Sequence, residues 1–176
     1  MRAYFFGNMY LSSIQQGIQA AHATHELFTK WNQPSVAQAN LLEWAENHKT
    51  MILLNGGYSE TIQDLVTFLA QQGDHTVEYP WAPFYEEKAS LNGALTTVGV
   101  ILPEKIYLTA AAIRHCDRRF NEEYRTIREQ IWEDGSVVIG VDNKLGFIID
   151  KPLTLEFTKW EAQLVSRLNQ FDQMAS

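Results

Sequence analysis

Three polar side chains near the start of the chain are spaced to act together. Gln15, Gln19 and His22 recur at intervals of four and three residues, which places them on one face of a helix. Ser12 or Ser13 stands where an N-cap belongs, with Gln15 or Gln16 three residues on as its capping-box partner. A helix start of this kind offers free N–H groups and polar side chains at one edge of a sheet, a setting suited to a polar or anionic ligand. The competing reading is that these amides and the imidazole are structural groups satisfied within the fold. A second group comprises Tyr79, Trp81, Phe84 and Tyr85, broken by Pro80 and Pro83 and followed by Glu86 and Glu87. Two prolines exclude a central strand, so the segment reads as a stiff aromatic loop. Its rings could stack a nucleobase, each contact being worth about 1–3 kcal/mol, or fill a joint between the two parts of the chain.

The elements that must position these residues follow from short apolar runs. Ala3–Phe6, Thr50–Leu54 and Leu95–Ile101 are bounded by turn or helix signals and are expected as central strands of one sheet. Ile14, Ile18 and Ala21 give the first helix its apolar spacing, and Ser59–Gln72 reads as another helix. Asn55-Gly56-Gly57 is a strand-to-helix turn with Ser59 as the cap; it lacks the spacing of a nucleotide fingerprint. Past Pro103, Glu104 to about Ile131 reads as one long helix. Ser136–Val141 and Leu145–Ile149 then read as a hairpin around Asp142-Asn143-Lys144. Leu153–Phe171 is expected as a closing helix with Thr154 at its N-cap. The predicted architecture is α/β: a layered α/β/α arrangement with a mixed central sheet, plus a C-terminal helix–hairpin–helix extension.

Gln19-Ala20-Ala21-His22-Ala23 resembles the Gln-x-(Ala/Ser)-His-Ala signature of type II peptidyl-tRNA hydrolases, the archaeal and eukaryotic kind. Further pieces follow in order. Leu41-Leu42-Glu43-Trp44 precedes a strand as in that family, and the Ser59–Gln72 helix has the right length. Asn92–Pro103 is similar to the family's Pro-Gly-Thr-x-Thr-Val-x-Ala-x-Gly-Pro strand. The resemblance covers residues 2–107 and has the style of divergent members found in large bacteriophages. It implies a hydrolase-like module over 1–107; with no Gly-, Ser- or Pro-rich linker and no shift in composition after it, 108–176 reads as an extension packed on the same domain. It also implies a cleft between the Ser12–His22 helix and the Tyr79–Thr97 segment, lined by Ser12, Ser13, Gln15, Gln19, Trp81, Phe84, Tyr85, Asn92 and Thr96.

Two departures alter the chemistry. The family's two lysine positions, in its Lys-Gly-Lys-x-Ala-Ala-Gln run, fall on Ser13 and Gln15. Its Asp-Ala-Gly-x-Thr-Gln segment becomes Phe84-Tyr85-Glu86-Glu87-Lys88-Ala89, with the carboxylates displaced. Ester hydrolysis needs a positioned water, a base, and a cation or donors for the oxyanion. Glu86 or Glu87 remains as a base and His22 as a donor, but the cationic partner is gone unless Lys88 or a residue outside the module replaces it; losing one such contact costs about a hundredfold or more in rate. The resemblance so amended implies a degenerate hydrolase that binds a small nucleotide, or the adenosine end of a larger one. In a phage setting, sequestering a host signalling nucleotide would be its purpose. The alternative is an active hydrolase of peptidyl- or aminoacyl-tRNA that uses a carboxylate base.

Charge separates the two. The net charge is −7, and residues 1–107 hold only five scattered cations: Arg2, Lys30, Lys49, Lys88 and Lys105. Phosphate contacts come from gathered Lys and Arg, so a small ligand suits this surface better than a tRNA, whose acceptor end is the alternative partner. Arg114, Arg118, Arg119, Arg125 and Arg128 form the one basic cluster, interleaved with acids and read as a solvated helix face. The single cysteine, Cys116, fits a reducing compartment. No apolar run suggests a membrane span, so a cytoplasmic protein is expected, in the host cytoplasm if phage-encoded. His22 and His25 lack a third ligand, so no metal and no cofactor are expected. A homo-oligomer is compatible with the sequence.

Overall fold

The structure, a computed structural model, describes residues 1–74, 79–119, 127–131, 137–141 and 153–171. The chain divides into two compact units, Met1–Pro103 with Phe171–Ser176, and Glu104–Gln170.

The first unit is built on a four-stranded sheet in the order β2-β1-β4-β3, formed by β1 (Arg2–Gly7), β2 (Met51–Asn55), β3 (Trp81–Tyr85) and β4 (Leu95–Leu102). β1 runs parallel to β2 and antiparallel to β4, and β3 is antiparallel to β4. The sheet is therefore mixed. All three expected strands belong to it, although β2 lies at an edge and not in the centre. The loop expected at Trp81–Tyr85 is instead the other edge strand. Pro83 there lies opposite Val98, and an edge is the place where a strand tolerates a residue without an N–H.

Three helices follow the strands: α1 (Ser13–Lys30), α2 (Val36–Glu43, continuing into a wide turn Trp44–His48) and α3 (Ser59–Ala70). Ala20, Ala23 and Leu27 of α1 join Leu41 and Trp44 in a core with Ala3, Phe5, Ala82 and Ile101 of the sheet. Burying each large apolar side chain here contributes about 1.5–3 kcal/mol. Gly99 lets Phe5 lie flat across the sheet, since a Cβ there would fall 2.8 Å from Phe5 Cε1. Every residue of β4 is buried. Because alternate residues face opposite sides, both faces are covered: α1 and α2 take one, and α3, which packs on β4, takes the other. Phe171 returns to this unit, its ring edge-on to Phe6 with centroids 4.8 Å apart. The α3 turn differs from expectation. Tyr58 occupies the N-cap without a side-chain bond, and the Ser59 hydroxyl accepts from Asn8 Nδ2 at 2.9 Å.

A short helix, α4 (Lys88–Leu91), connects β3 to β4. The second unit contains α5 (Glu104–Arg119), an antiparallel three-stranded sheet of β5 (Ile127–Ile131), β6 (Val137–Val141) and β7 (Leu153–Phe157), and α6 (Lys159–Leu168). This corrects the helix–hairpin–helix expectation. The long helix is described only to Arg119, and Ile127–Ile131 is a strand; Arg128 therefore lies in β5, and Arg125 lies outside the described residues. Of the expected hairpin, the first arm is β6, which pairs with β5 and β7, and the second arm, 145–149, lies outside the described residues. Leu153–Phe157 is strand and not helix, so the cap of α6 is Thr158 and not Thr154. Its hydroxyl accepts from Glu161 N at 3.1 Å, and Glu161 reaches back to Thr158 N at 2.9 Å.

Candidate functional site

The polar site is built where α1 crosses the ends of β3 and β4. The connection between those strands closes through Asn92 (φ 54°) and Gly93 (φ 74°), both left-handed. Asparagine and glycine are the residues that adopt this conformation most readily. The exposed Asn92 thus has a backbone reason for its identity. The closure pairs Glu86 N with Ala94 O at 2.9 Å and sets Glu86 near Thr96.

Gln19 turns inward from α1 and is 6% exposed. Its Nε2 donates to Glu86 Oε1 at 2.6 Å, and its Oε1 accepts from Thr96 Oγ1 at 3.2 Å. The second carboxylate oxygen, Oε2, accepts from Ser90 Oγ at 3.1 Å. Thr96 donates to Gln19, and Gln19 and Ser90 both donate to Glu86, the Ser90 hydroxyl lying equally 3.1 Å from Glu87 O. These bonds orient half-buried Glu86, which is held with lone pairs to spare on both oxygens. One turn along α1, the exposed His22 ring stacks on Phe84, with centroids 4.6 Å apart and planes 8° from parallel. Glu87 is exposed, at the N-cap position of α4.

Other expected site residues lie elsewhere or are already engaged. Ser12 and Gln15 are exposed and spend their side chains on a capping box. Ser12 Oγ accepts from Gln15 N at 3.3 Å, and Gln15 Oε1 accepts from Ser12 N at 2.9 Å. Ser13, also exposed, is the first helical residue, and the first turn of α1 carries no acidic side chain. Trp81 sits near the far end of the helix, which at 18 residues is about 27 Å long. Lys30 Nζ lies 3.2 Å from its ring centroid, and Trp31 Nε1 donates to its carbonyl at 2.9 Å. The indole is 9% exposed, so its stacking face is taken. Burial lowers the Lys30 pKa from 10.5 to about 8. Tyr85 is exposed and turns toward α3, its hydroxyl 3.4 Å from Gln63 Oε1. The structure thus gathers Gln19, His22, Phe84, Glu86 and Thr96, with Ser12, Ser13 and Gln15 farther along α1, and leaves Trp81 and Tyr85 apart.

Sequence reasoning missed Ser90, although its position four residues after Glu86 on a helical turn is a spacing at which side chains meet. It also missed a buried polar pair. Gln16 Oε1 and Thr97 Oγ1 are both buried without a hydrogen-bond partner. Thr97 lies opposite Gly7 in the sheet, and Gln16 Oε1 would be 3.1 Å from a Cβ on that glycine. Buried polar atoms are normally paired, so these two are unspent hydrogen-bonding capacity next to the Gln19 network in sequence.

Chemically, the site is a positioned carboxylate that forms no ion pair among the described residues. Two ion pairs join His48 to Glu43 and Lys105 to Glu161; neither touches Glu86. No group of three or more His, Cys, Asp or Glu that could hold a metal occurs among the described residues, and no described helix is long and apolar enough to cross a membrane. Comparison with models of known protein families and with characterised proteins finds no match for this chain.

Proposed function

We propose that this chain is a divergent type II peptidyl-tRNA hydrolase-like protein that binds a small nucleotide-type ligand at the Gln19–Glu86–Thr96 site. The observation that carries the reading is a carboxylate oriented by Gln19 and Ser90 that forms no ion pair among the described residues. Such a group accepts hydrogen bonds from ribose hydroxyls or an exocyclic amine, and it repels phosphate. A bound nucleotide therefore points its phosphate away from Glu86, toward the start of α1. Ser13 is six residues from Gln19, about 9 Å along the helix, a span one nucleotide covers. The ammonium expected by the resemblance is missing at Ser13 and Gln15, and helix N–H groups, carrying partial positive charge, suit a small anion better than a polyanion. His22, one turn beyond Gln19, stacks on Phe84, and in this reading the edge of that pair receives the base. In a phage setting the purpose is counter-defence by sequestering a signalling nucleotide.

A second reading, hydrolysis of peptidyl- or aminoacyl-tRNA, draws on the same carboxylate: a pinned Glu86 is suited to orient and deprotonate a water. Two measurements separate them. Native mass spectrometry of the protein purified from its host should show a retained nucleotide-sized mass that is absent from Glu86→Ala. A peptidyl-tRNA cleavage assay should show little turnover. Cleavage within tenfold of an authentic enzyme, lost in Glu86→Gln, would establish the hydrolase reading instead.

A further inference from the structure

The first helix leaves part of its apolar surface exposed. Its inward face carries Gln16 and Gln19 together with Ala20, Ala23 and Leu27, while Ile14 is 78% exposed and Ile18 51% exposed. In the sequence these two isoleucines mark the helical spacing of apolar residues. A surface helix normally turns its apolar stripe to the core and its polar side chains to water. Here Ile14, Gly17, Ile18, Ala21, His25 and Phe28, at the spacing of one helix face, all lie exposed. The seam is about 21 Å long at 1.5 Å per residue. Just before it, Tyr10 is 79% exposed and Met9 45%.

We infer that this face of α1 is a self-association surface, on which two copies of the chain pair through their first helices. Two further observations favour a second copy as the occupant. First, no Asp, Glu, Lys or Arg occurs between Arg2 and Glu26, in a chain of net charge −7. A two-fold contact sets the same patch of each copy against itself, so charged surface of an acidic chain meets like charge, whereas this face does not. The same neutrality leaves a basic partner or a nucleic acid nothing to pair with. Second, Gly17 lies inside α1 with no atom within 4 Å of where its Cβ would be. An interior helical glycine is unfavourable, and nothing within one copy requires it. Two helices crossing at Gly17 and Ala21 approach closely, with Ile14 and Ile18 of each copy packing beside those small residues. Gln19 and His22 stand on the flank, so pairing here borders the polar site without using its side chains.

The test is sedimentation velocity of the full chain from micromolar to submillimolar loading. The expected species at high loading has twice the 20.2 kDa chain mass. Ile14→Glu and Ile18→Glu, both at exposed positions, keep the melting temperature and weaken pairing by about a hundredfold or more, because each would bury a carboxylate in the contact. Gly17→Ala separates folding from pairing. It favours the helix and raises the melting temperature, yet weakens pairing about tenfold by placing a methyl group in the closest contact. A single-chain mass at every loading overturns the inference and leaves the face to a different partner. A dimer unaffected by both glutamate substitutions overturns it too, by locating the contact elsewhere.

Discussion

Replacing Gln19 by alanine removes the side chain that touches both Glu86 and Thr96. The bond from Nε2 to the carboxylate is 2.6 Å long, and a hydrogen bond to a charged group contributes about 1.5–3 kcal/mol. Partial exposure of Glu86 puts this one near the lower bound. Thr96, which is buried, keeps only a 3.5 Å contact with the Phe84 carbonyl, a further loss of about 1 kcal/mol. The expected destabilisation is about 2–3 kcal/mol, which for a chain of this size lowers the melting temperature by about 4–12 °C. Thermal and urea unfolding followed by tryptophan fluorescence would measure it. A double-mutant cycle with Glu86→Ala should return a coupling of about 1–2 kcal/mol. Stability within about 0.5 kcal/mol of the parent, the range of an indifferent surface substitution, or zero coupling in the cycle, would refute the polar chain on which the site is built.

Gly99→Ala should cost about 1–3 kcal/mol by overpacking, because its methyl would lie 2.8 Å from Phe5 Cε1; an unchanged urea midpoint would show that the ring moves freely. In the second unit, Lys105 Nζ meets the buried Glu161 carboxylate at 2.6 Å. Removing half-exposed Lys105 leaves the buried carboxylate short of its cation, so Lys105→Met should lower stability by more than Thr158→Ala, where a lost cap costs about 1 kcal/mol; equal effects would contradict this. Lys30 has a pKa lowered from 10.5 to about 8, so between those values the unfolded chain holds a proton that the folded chain has released. Stability should rise with pH across that window, and the rise should vanish in Lys30→Met; parallel curves for the two proteins would be the contrary result.

Much of the first unit was legible in the sequence because its signals are local. Short apolar runs bounded by turns marked β1, β2 and β4, and Ser12 with Gln15 marked a capping box that the structure contains. β3 was hidden by its prolines, since local reading knows that a central strand is excluded but not that an edge is available. β5 and β7 were hidden by period. Ile127 and Ile131 fit a helical stripe as well as a strand, while Leu153, Leu155 and Phe157 alternate at the strand period inside a segment read as helix. The burial of Gln16 and Gln19 was illegible for a different reason. Ile14 and Ile18 share a helical face with Ala21, and only the packing of α1 against β3 and β4 reveals that Gln16 and Gln19 face inward. Likewise, Gln19 and Glu86 could each be named from the sequence, but the bond between them depends on the strand closure at Asn92 and Gly93. Trp81 was misjudged because its ring is covered by Lys30, from a part of α1 that the sequence does not bring near it.

A calorimetric titration of the full chain with adenosine 5′-monophosphate, in parallel with Gln19→Ala and Glu86→Ala, measures nucleotide binding at the Gln19–Glu86–Thr96 site. Saturable binding of one nucleotide per chain is expected, weakened about tenfold or more in each variant through the loss of a hydrogen bond to a charged group. Absence of heat with the parent chain, or binding of equal strength in all three proteins, would contradict it.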